Sequence, residues 1–515
     1  MKKHIRLISI ITLVIISCTL LSSCNLFKKD TISVSLGQRP DELNPHYCSD
    51  ISDISILNHI FEGLFYIDQD GNTQPRQAKD YTVTSDGLTY TITLRDDLYW
   101  SDGNKLTAQD YVNSWKIACQ INAESTHSYM FSVIDGYDDN NLNIAATDET
   151  TLKVSLKEPC VSFLALLACP AYYPVRQDII EQNANWAKAA GTLIGNGAYT
   201  IKEWSDSSIT VEKNKYYYGK DELTADSINF MFFDSEQGMN AYDSGQISFI
   251  DNLTSSQIEQ NLSESDFNQT PLAGTYFIEI NIDSEVISKV DVRQALALAI
   301  DRQTICDTYL NAIQRPADRL IAPPLSDKLA QAEYFDDFES SMQEAADLLE
   351  EAGHRNGRGL DTIRYIYYNE GGHGSIAESI AKTWETLGLT VELVPMGWNE
   401  FLSARNTGNY DVAHFAWFAD YCDPMTFLEL FRSQNANNDS QFASSIYDEL
   451  LEQAEGETDE QKRAEYIAEA EQHLFTRWVL SPIYFSYGGY LQNENIEGVE
   501  VSALGYKFFG HANLI

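Results

Sequence analysis

Apolar residues follow two different rhythms along this chain. In the first half they alternate with polar ones over short stretches. Ile32, Val34 and Leu36 take every second place, as do the apolar residues of 88–94 and 151–156. A period of two predicts half-buried strands. Between 82–84 and 88–94 stands Ser85-Asp86-Gly87, and Asp-Gly flanked by alternating strands predicts a hairpin on a type I′ turn. Helical spacing appears over 56–63, stopped by Gly63. It appears again after Thr107-Ala-Gln-Asp110, a capping sequence followed by Tyr111, Val112, Trp115 and Cys119.

From Asp291 onward the rhythm changes to an alternation of helix and strand. A helix ends at Gly353, a strand covers 363–368, a helix over 375–387 is closed by Gly388, and a strand covers 389–394. Asn399 then caps a further helix, and a strand starts at Tyr410. Such alternation predicts an α/β fold with a parallel-rich sheet. A chain of 515 residues exceeds what one core supports, so two or three domains are expected. The hairpin-rich first half and the alternating second half suggest two lobes of different texture.

The last of these strands carries the candidate chemistry. Tyr410-Asp-Val-Ala-His-Phe-Ala-Trp-Phe-Ala-Asp-Tyr-Cys-Asp-Pro-Met425 is an apolar run that delivers the carboxylate of Asp420 between Trp417 and Tyr421. Asp423-Pro424 reads as the cap and first residue of a helix, which gives Asp423 a structural task and leaves Asp420 without one. Ligands of open α/β sheets settle beyond the carboxyl ends of strands. There a carboxylate among aromatic rings suits an ammonium group. The same residue could equally be a loop residue or a second cap.

The N-terminus adds a location. Lys2, Lys3 and Arg6 precede an apolar run over 7–21, the form of a secretory leader and short for a membrane span. Leu21-Ser22-Ser23-Cys24 resembles a bacterial lipobox, with 15–18 as a weaker second candidate. Cleavage would make a lipid-modified Cys24 the anchor of a domain outside the membrane. Removing 1–24 deletes three basic residues and deepens a formal charge of −41, which disfavours nucleic acid and anionic lipid as partners. Cys48, Cys119, Cys160, Cys169, Cys306 and Cys422 have no metal-ligand or redox spacing. Buried thiols and disulfides are both compatible with them.

Several motifs then follow one another in a particular order. They are Phe61-Glu-Gly-Leu64, Ser85-Asp-Gly-Leu-Thr-Tyr90, Leu94-Arg-Asp-Asp97, Trp100-Ser-Asp-Gly103, Thr107-Ala-Gln-Asp110 and Ser114-Trp115. After these come Gly195-Asn-Gly-Ala-Tyr199, Thr275-Tyr276 through Asn281, Val292-Arg-Gln-Ala-Leu296, Ala299-Ile-Asp-Arg302, the 417–424 run and Pro482-Ile-Tyr484. In this order the chain resembles the oligopeptide-binding members of the extracellular solute-binding proteins, family 5, the capture subunits of peptide and nickel ABC importers. The resemblance covers roughly 31–515. It implies a two-lobed periplasmic-binding-protein type II fold with the ligand cleft between the lobes. It also implies these boundaries: leader 1–24, tether and start of lobe I 25–51, extra subdomain 52–175, lobe I 176–273, lobe II 274–485, and a return to lobe I over 486–515. Its partners are implied as well: an oligopeptide ligand, permease subunits, a membrane reached through Cys24, and no second copy of the chain.

The resemblance further implies site residues. Asp420 stands where such proteins hold the peptide's amine, Trp398 matches a pocket tryptophan, and Asn252 lies near a backbone-binding asparagine. Trp417, Tyr421, Tyr276 and Asn369 belong to the same matching segments, and His373 matches a site histidine. His414 departs from the pattern, standing where some members carry an arginine for the ligand's carboxylate. If His373 and His414 took over by charging, affinity would rise below about pH 6.5. Gly274 and Phe418 occupy positions that pair as a disulfide in one branch, and Leu272 replaces a tyrosine of that branch.

No GxSxG elbow, HExxH, P-loop or GxGxxG fingerprint occurs, no cofactor is implied, and an enzyme is disfavoured. The expected function is a lipid-anchored receptor that captures extracellular oligopeptides for an ABC permease. Alternatives are capture of nickel or a metal chelate, a receptor for a signalling peptide and, more remotely, a surface hydrolase.

Overall fold

The computed structural model describes residues 31–68, 71–120, 128–310, 313–327, 329–330 and 334–515. The leader and Cys24 lie outside the described residues. Eleven strands form one mixed sheet: β1 Thr31–Ser35, β2 Tyr199–Trp204, β3 Ser208–Lys213, β4 Ser227–Met231, β5 Phe249–Ile250, β6 Phe267–Ile280, β7 Arg315–Pro316, β8 Ile363–Tyr368, β9 Val391–Met396, β10 Val412–Phe418 and β11 Leu480–Gln492. Their order is β9-β8-β10-β6-β11-β5-β1-β4-β3-β2, with β7 beside β11.

The two long strands β6 and β11 join its halves. Residues 267–271 of β6 pair with 487–491 of β11, and residues 275–279 pair with 480–485. The register slips between Pro271 and Thr275, because proline has no N–H to give the ladder. On one side of that slip β11 pairs with β5, and on the other β6 pairs with β10. Two separate cores follow. One gathers Val34, Tyr199, Val211 and Phe230 with Trp100 and Trp115, and the other gathers Phe277, Leu296, Tyr365, Trp384 and Leu474.

A four-stranded sheet, Ala78–Val83, Thr89–Leu94, Thr151–Ser155 and Ile144–Ala146, packs into the first core. Its hairpin differs from the type I′ expectation. Asp86 Oδ1 accepts from the Leu88 N–H at 3.1 Å and from the Thr84 hydroxyl, so only Gly87 takes a positive φ (+72°) and the loop is longer than two residues.

In the second half, helix α1 Phe338–Glu351 ends before Gly353, and α2 His373–Thr386 starts two residues earlier than expected. Helix α3 Trp398–Asn406 has Gly397 rather than Asn399 at its N-cap and no side-chain cap. Asp423 accepts the Met425 N–H at 3.0 Å and pairs with Arg463 at 2.8 Å. All six cysteines from Cys48 onward are buried free thiols. At the position pair that resembles a disulfide, the Phe418 ring lies against Gly274, where an added Cβ would meet it at 2.5 Å.

Candidate functional site

The chain runs β8, α2, β9, α3, β10, and alternation along the strands places the two helices on opposite faces. Tyr365 and Val412 face α2, whose Trp384 packs against Tyr365 with ring centroids 6.0 Å apart. Ile366 and Ala413 face α3 and cluster with Phe401. Strand β8 pairs with β9 over six positions but with β10 over only two, Tyr365↔Val412 and Ile366↔Ala413. The α2 crossover carries the chain from β8 out to β9, and the α3 crossover returns across β8 to β10 on its other side, which makes the gap between β8 and β10 toward their carboxyl ends the switch point of the sheet, the usual ligand crevice of such folds.

His414 lies within β10 where that gap begins, one residue past the last β8–β10 pair, Ile366↔Ala413. Its ring stacks on His373, the first residue of α2, at 4.2 Å, and on Phe401 at 4.8 Å. Tyr276 stacks on both histidines at 5.6 Å and on Tyr484 at 4.8 Å. Trp398, half exposed, stands edge-on to Tyr368 at 5.3 Å. Four buried polar atoms in and beside this stack have no protein partner: Nδ1 of His373, Nδ1 of His414 and the hydroxyls of Tyr276 and Tyr365. Buried polar atoms are nearly always satisfied, so the stack offers these groups to water or to a ligand.

Burial holds His414 down to about 2, with the neighbouring His373 and Arg405 adding to the effect, and burial lowers His373 as well. The His414 imidazole is therefore neutral near pH 5–7, and burial opposes charging of His373 as well. This corrects the expectation that they charge below pH 6.5, since an apolar stack strips a cation of its hydration. Their face-to-face stacking also aims the ring nitrogens away from any single point, and among the described residues no three His, Cys, Asp or Glu side chains converge as a metal site.

Asp420 follows the end of β10. Its backbone N–H and the indole N–H of Trp417 both donate to Thr426 Oγ1 at 3.3 Å, which ties the two residues together. The hydroxyl of Tyr129, 291 residues away and next in the chain to Met130 and Phe131 of the first core, donates to Asp420 Oδ2. Burial, and then the Asp420 charge, push the Tyr129 phenol well above its ordinary value, so it remains a proton donor. Tyr421 leaves the second core and packs into the first. The Val161 N–H donates to the Glu455 carbonyl at 3.0 Å nearby.

Asp420 lines a cavity of about 90 Å³ between the two halves. Cys48 and Ser49 line it too, and they also line a second cavity of about 620 Å³ that contains Asn252. Asn252 donates to the Phe233 carbonyl at 3.0 Å, while its own Oδ1 is buried without a partner. Trp417, Tyr421 and Tyr129 line a third cavity of about 310 Å³. The expected residues thus fall into three groups. Asp420, Trp417 and Tyr421 form one, His373, His414, Tyr276 and Trp398 form another, and Asn252 faces them from the opposite half. Asn369 stands apart, exposed, with its backbone N–H on Met396 O at 3.0 Å.

Tyr129, Phe401, Tyr484 and Thr426 were not picked out by sequence. Tyr129 lies in a short 3₁₀ turn, Ser128–Val133, with no periodicity to mark it.

A mixed sheet carried across two cores by β6 and β11, with polar groups converging from both halves on the space between, defines a two-lobed α/β binding protein of the periplasmic type. The chain belongs to the bacterial extracellular solute-binding proteins, family 5, whose middle-region model matches residues 72–439. It is 30% identical to the oligopeptide-binding protein OppA of Bacillus subtilis over 98% of each chain. With the periplasmic oligopeptide-binding protein OppA of Escherichia coli it shares 32% identity, covering 89% of this chain and 88% of the other. Among solved structures, the unliganded open form of the murein tripeptide binding protein MppA superposes with a TM-score of 0.84 at 27% identity, covering 95% and 98% of the chains. Listeria monocytogenes OppA bound to peptide gives 0.71 at 26% identity, covering 95% and 99%.

Proposed function

We propose that this protein captures oligopeptides in the cleft between its lobes and passes them to an ABC permease. The observation that carries the reading is Asp420: a carboxylate beyond the end of β10, tied to Trp417 through Thr426 and approached from the other half by Tyr129. Such a group suits a peptide's free amine, the one cation every unblocked peptide carries. The unpartnered Oδ1 of Asn252 and the hydroxyl of Tyr276 are suited to the N–H groups and bridging waters of a peptide backbone. Relatives named for oligopeptide binding support the same reading. The lipobox cysteine, Cys24, would hold the receptor at the outer face of the membrane, as a monomer beside its permease.

Calorimetry with a tripeptide and its N-acetylated form tests this. The free peptide is expected to bind more tightly by about 2–5 kcal/mol, the cost of leaving a desolvated charge unpaired. The Asp420→Asn variant is expected to remove that difference. Equal affinity of the two peptides for the unmodified protein would refute the assignment.

A further inference from the structure

A peptide brings a carboxylate as well as an amine, and the space between the halves gives that second charge little to pair with. Among the described residues, no lysine or arginine lines the cavity beside Asp420. The neighbouring cavity of Trp417 and Tyr129 carries Glu429 and Glu455, and Arg432 already pairs with both, at 2.6 and 3.3 Å. The cavity that contains Asn252 is walled by Asp41, Glu42, Asp50, Asp53 and Asp234 against one cation, Arg39. That guanidinium is held by residues that do not line the cavity: it donates to Ser205 O at 3.4 Å, lies over the Trp204 ring and comes within 3.9 Å of Asp206. Burial and the charges of Asp50 and Asp41 push the Asp53 carboxyl up to about 6, the mark of a wall where negative charges already crowd one another.

The switch-point stack supplies no cation either. His414 lies six residues before Asp420, at most about 20 Å along the chain, a distance that a peptide of about three to six residues spans. Its ring is sealed among Phe401, His373 and Tyr276 and stays neutral. Arg405 is 2% exposed and committed to Glu279 and Asp439. The groups left without a protein partner in the stack are the Tyr276 hydroxyl and the Nδ1 atoms of the two histidines. Such groups meet an amide or a bridging water as readily as a carboxylate.

Resting on the reading of Asp420 as the amine site, we propose that the cleft selects against a free carboxyl terminus. Its ligands are peptides whose carboxyl end is masked as an amide, or is carried on a chain long enough to leave the cleft. An ionised carboxylate inside would exchange its hydration for a space of like charges with no uncommitted cation among the described residues. A carboxamide meets the same polar groups without that cost.

The test is calorimetry near pH 7 with Ala-Ala-Ala, pentaalanine and the carboxyl-terminal amide of each, so that the terminus is placed at two depths. Each amide is expected to bind about tenfold more tightly than its acid, the scale of one like-charge contact. Raising the salt from about 0.05 to 0.5 M should shrink that preference, because repulsion across a hydrated cleft is screened. Asp50→Asn combined with Asp53→Asn should shrink it as well. Asp50 makes no side-chain hydrogen bond as the cap of helix Ile51–Ile60, so the double variant keeps its fold, and binding of the amides reports this. An acid that binds within twofold of its amide, or more tightly, would overturn the proposal. So would a preference that neither salt nor the double variant reduces, which assigns it to shape. Both outcomes leave peptide capture standing, provided N-acetylation still weakens binding. If N-acetylation has no effect, or none of the four peptides binds, the amine-site reading fails and this inference with it.

Discussion

The Tyr129 hydroxyl and the Cys169 thiol both reach Asp420 from the other half of the molecule, at the proposed amine site. Tyr129 donates to Asp420 Oδ2 and stays protonated because burial and the Asp420 charge both oppose loss of its proton. Tyr129→Phe is expected to weaken peptide affinity by about 1–3 kcal/mol, the range for a hydrogen bond to a charged group. Calorimetry would register this, and unchanged affinity would show that Tyr129 lets go of Asp420 when ligand arrives. The histidines obey the opposite logic. Both values in the fold lie below the ordinary 6.5, that of His414 at about 2, so lowering the pH from 7.5 to 5 protonates His414 in the unfolded chain and not in the native one. The imidazole C–H signals of His414 are expected to stay fixed across that interval in proton NMR. A His414 titration centred near 6 would contradict its burial. The sequence singled out both histidines, yet the neutrality of His414 follows from the rings of Phe401 and Tyr276, which no spacing brings next to it.

At the level of elements, α3 determines whether the switch-point stack holds its shape. Its Phe401 backs His414, and its Arg405, 2% exposed, reaches Glu279 on β6 and Asp439 at 3.1 Å each. The guanidinium also lies 3.7 Å from the centroid of Phe415. Tyr410 donates to the other oxygen of Glu279 at 2.5 Å. Replacing Arg405 with leucine strands the buried carboxylate of Glu279 and the partly buried one of Asp439, and urea unfolding is expected to register a loss of about 3–5 kcal/mol. A change under about 1 kcal/mol would mean that water reaches Glu279. Alternation made β8 legible to the residue, at 363–368, because a strand buried against two helices needs an apolar run. The start of α3 was less legible. Asn399 has the side chain of a cap, but the turn is set by Gly397, which leaves Trp398 at the cleft edge.

Over the whole molecule, β6 and β11 are the two strands that cross from one core to the other among the described residues, and the register of their ladder shifts between Pro271 and Thr275. Two strands crossing at one irregular place would serve the proposed capture as a hinge, a ligand that touches both halves favouring the closed arrangement. Small-angle scattering is expected to show a smaller radius of gyration with a saturating tripeptide than without it. An unchanged radius would mean that the lobes are already as close as ligand makes them.

The sequence by itself determined the elements and the candidates: hairpins first, helix and strand alternation afterwards, and a lone carboxylate at the end of an apolar strand. These are properties of neighbours along the chain, and a period of two or of 3.6 records them directly. Only the tertiary structure decided that Asp420 meets Tyr129, that His414 is sealed between rings, and that Arg405 reaches Glu279. Each of those contacts joins residues far apart in the chain, and what brings them together is the packing of whole lobes, which no local pattern encodes.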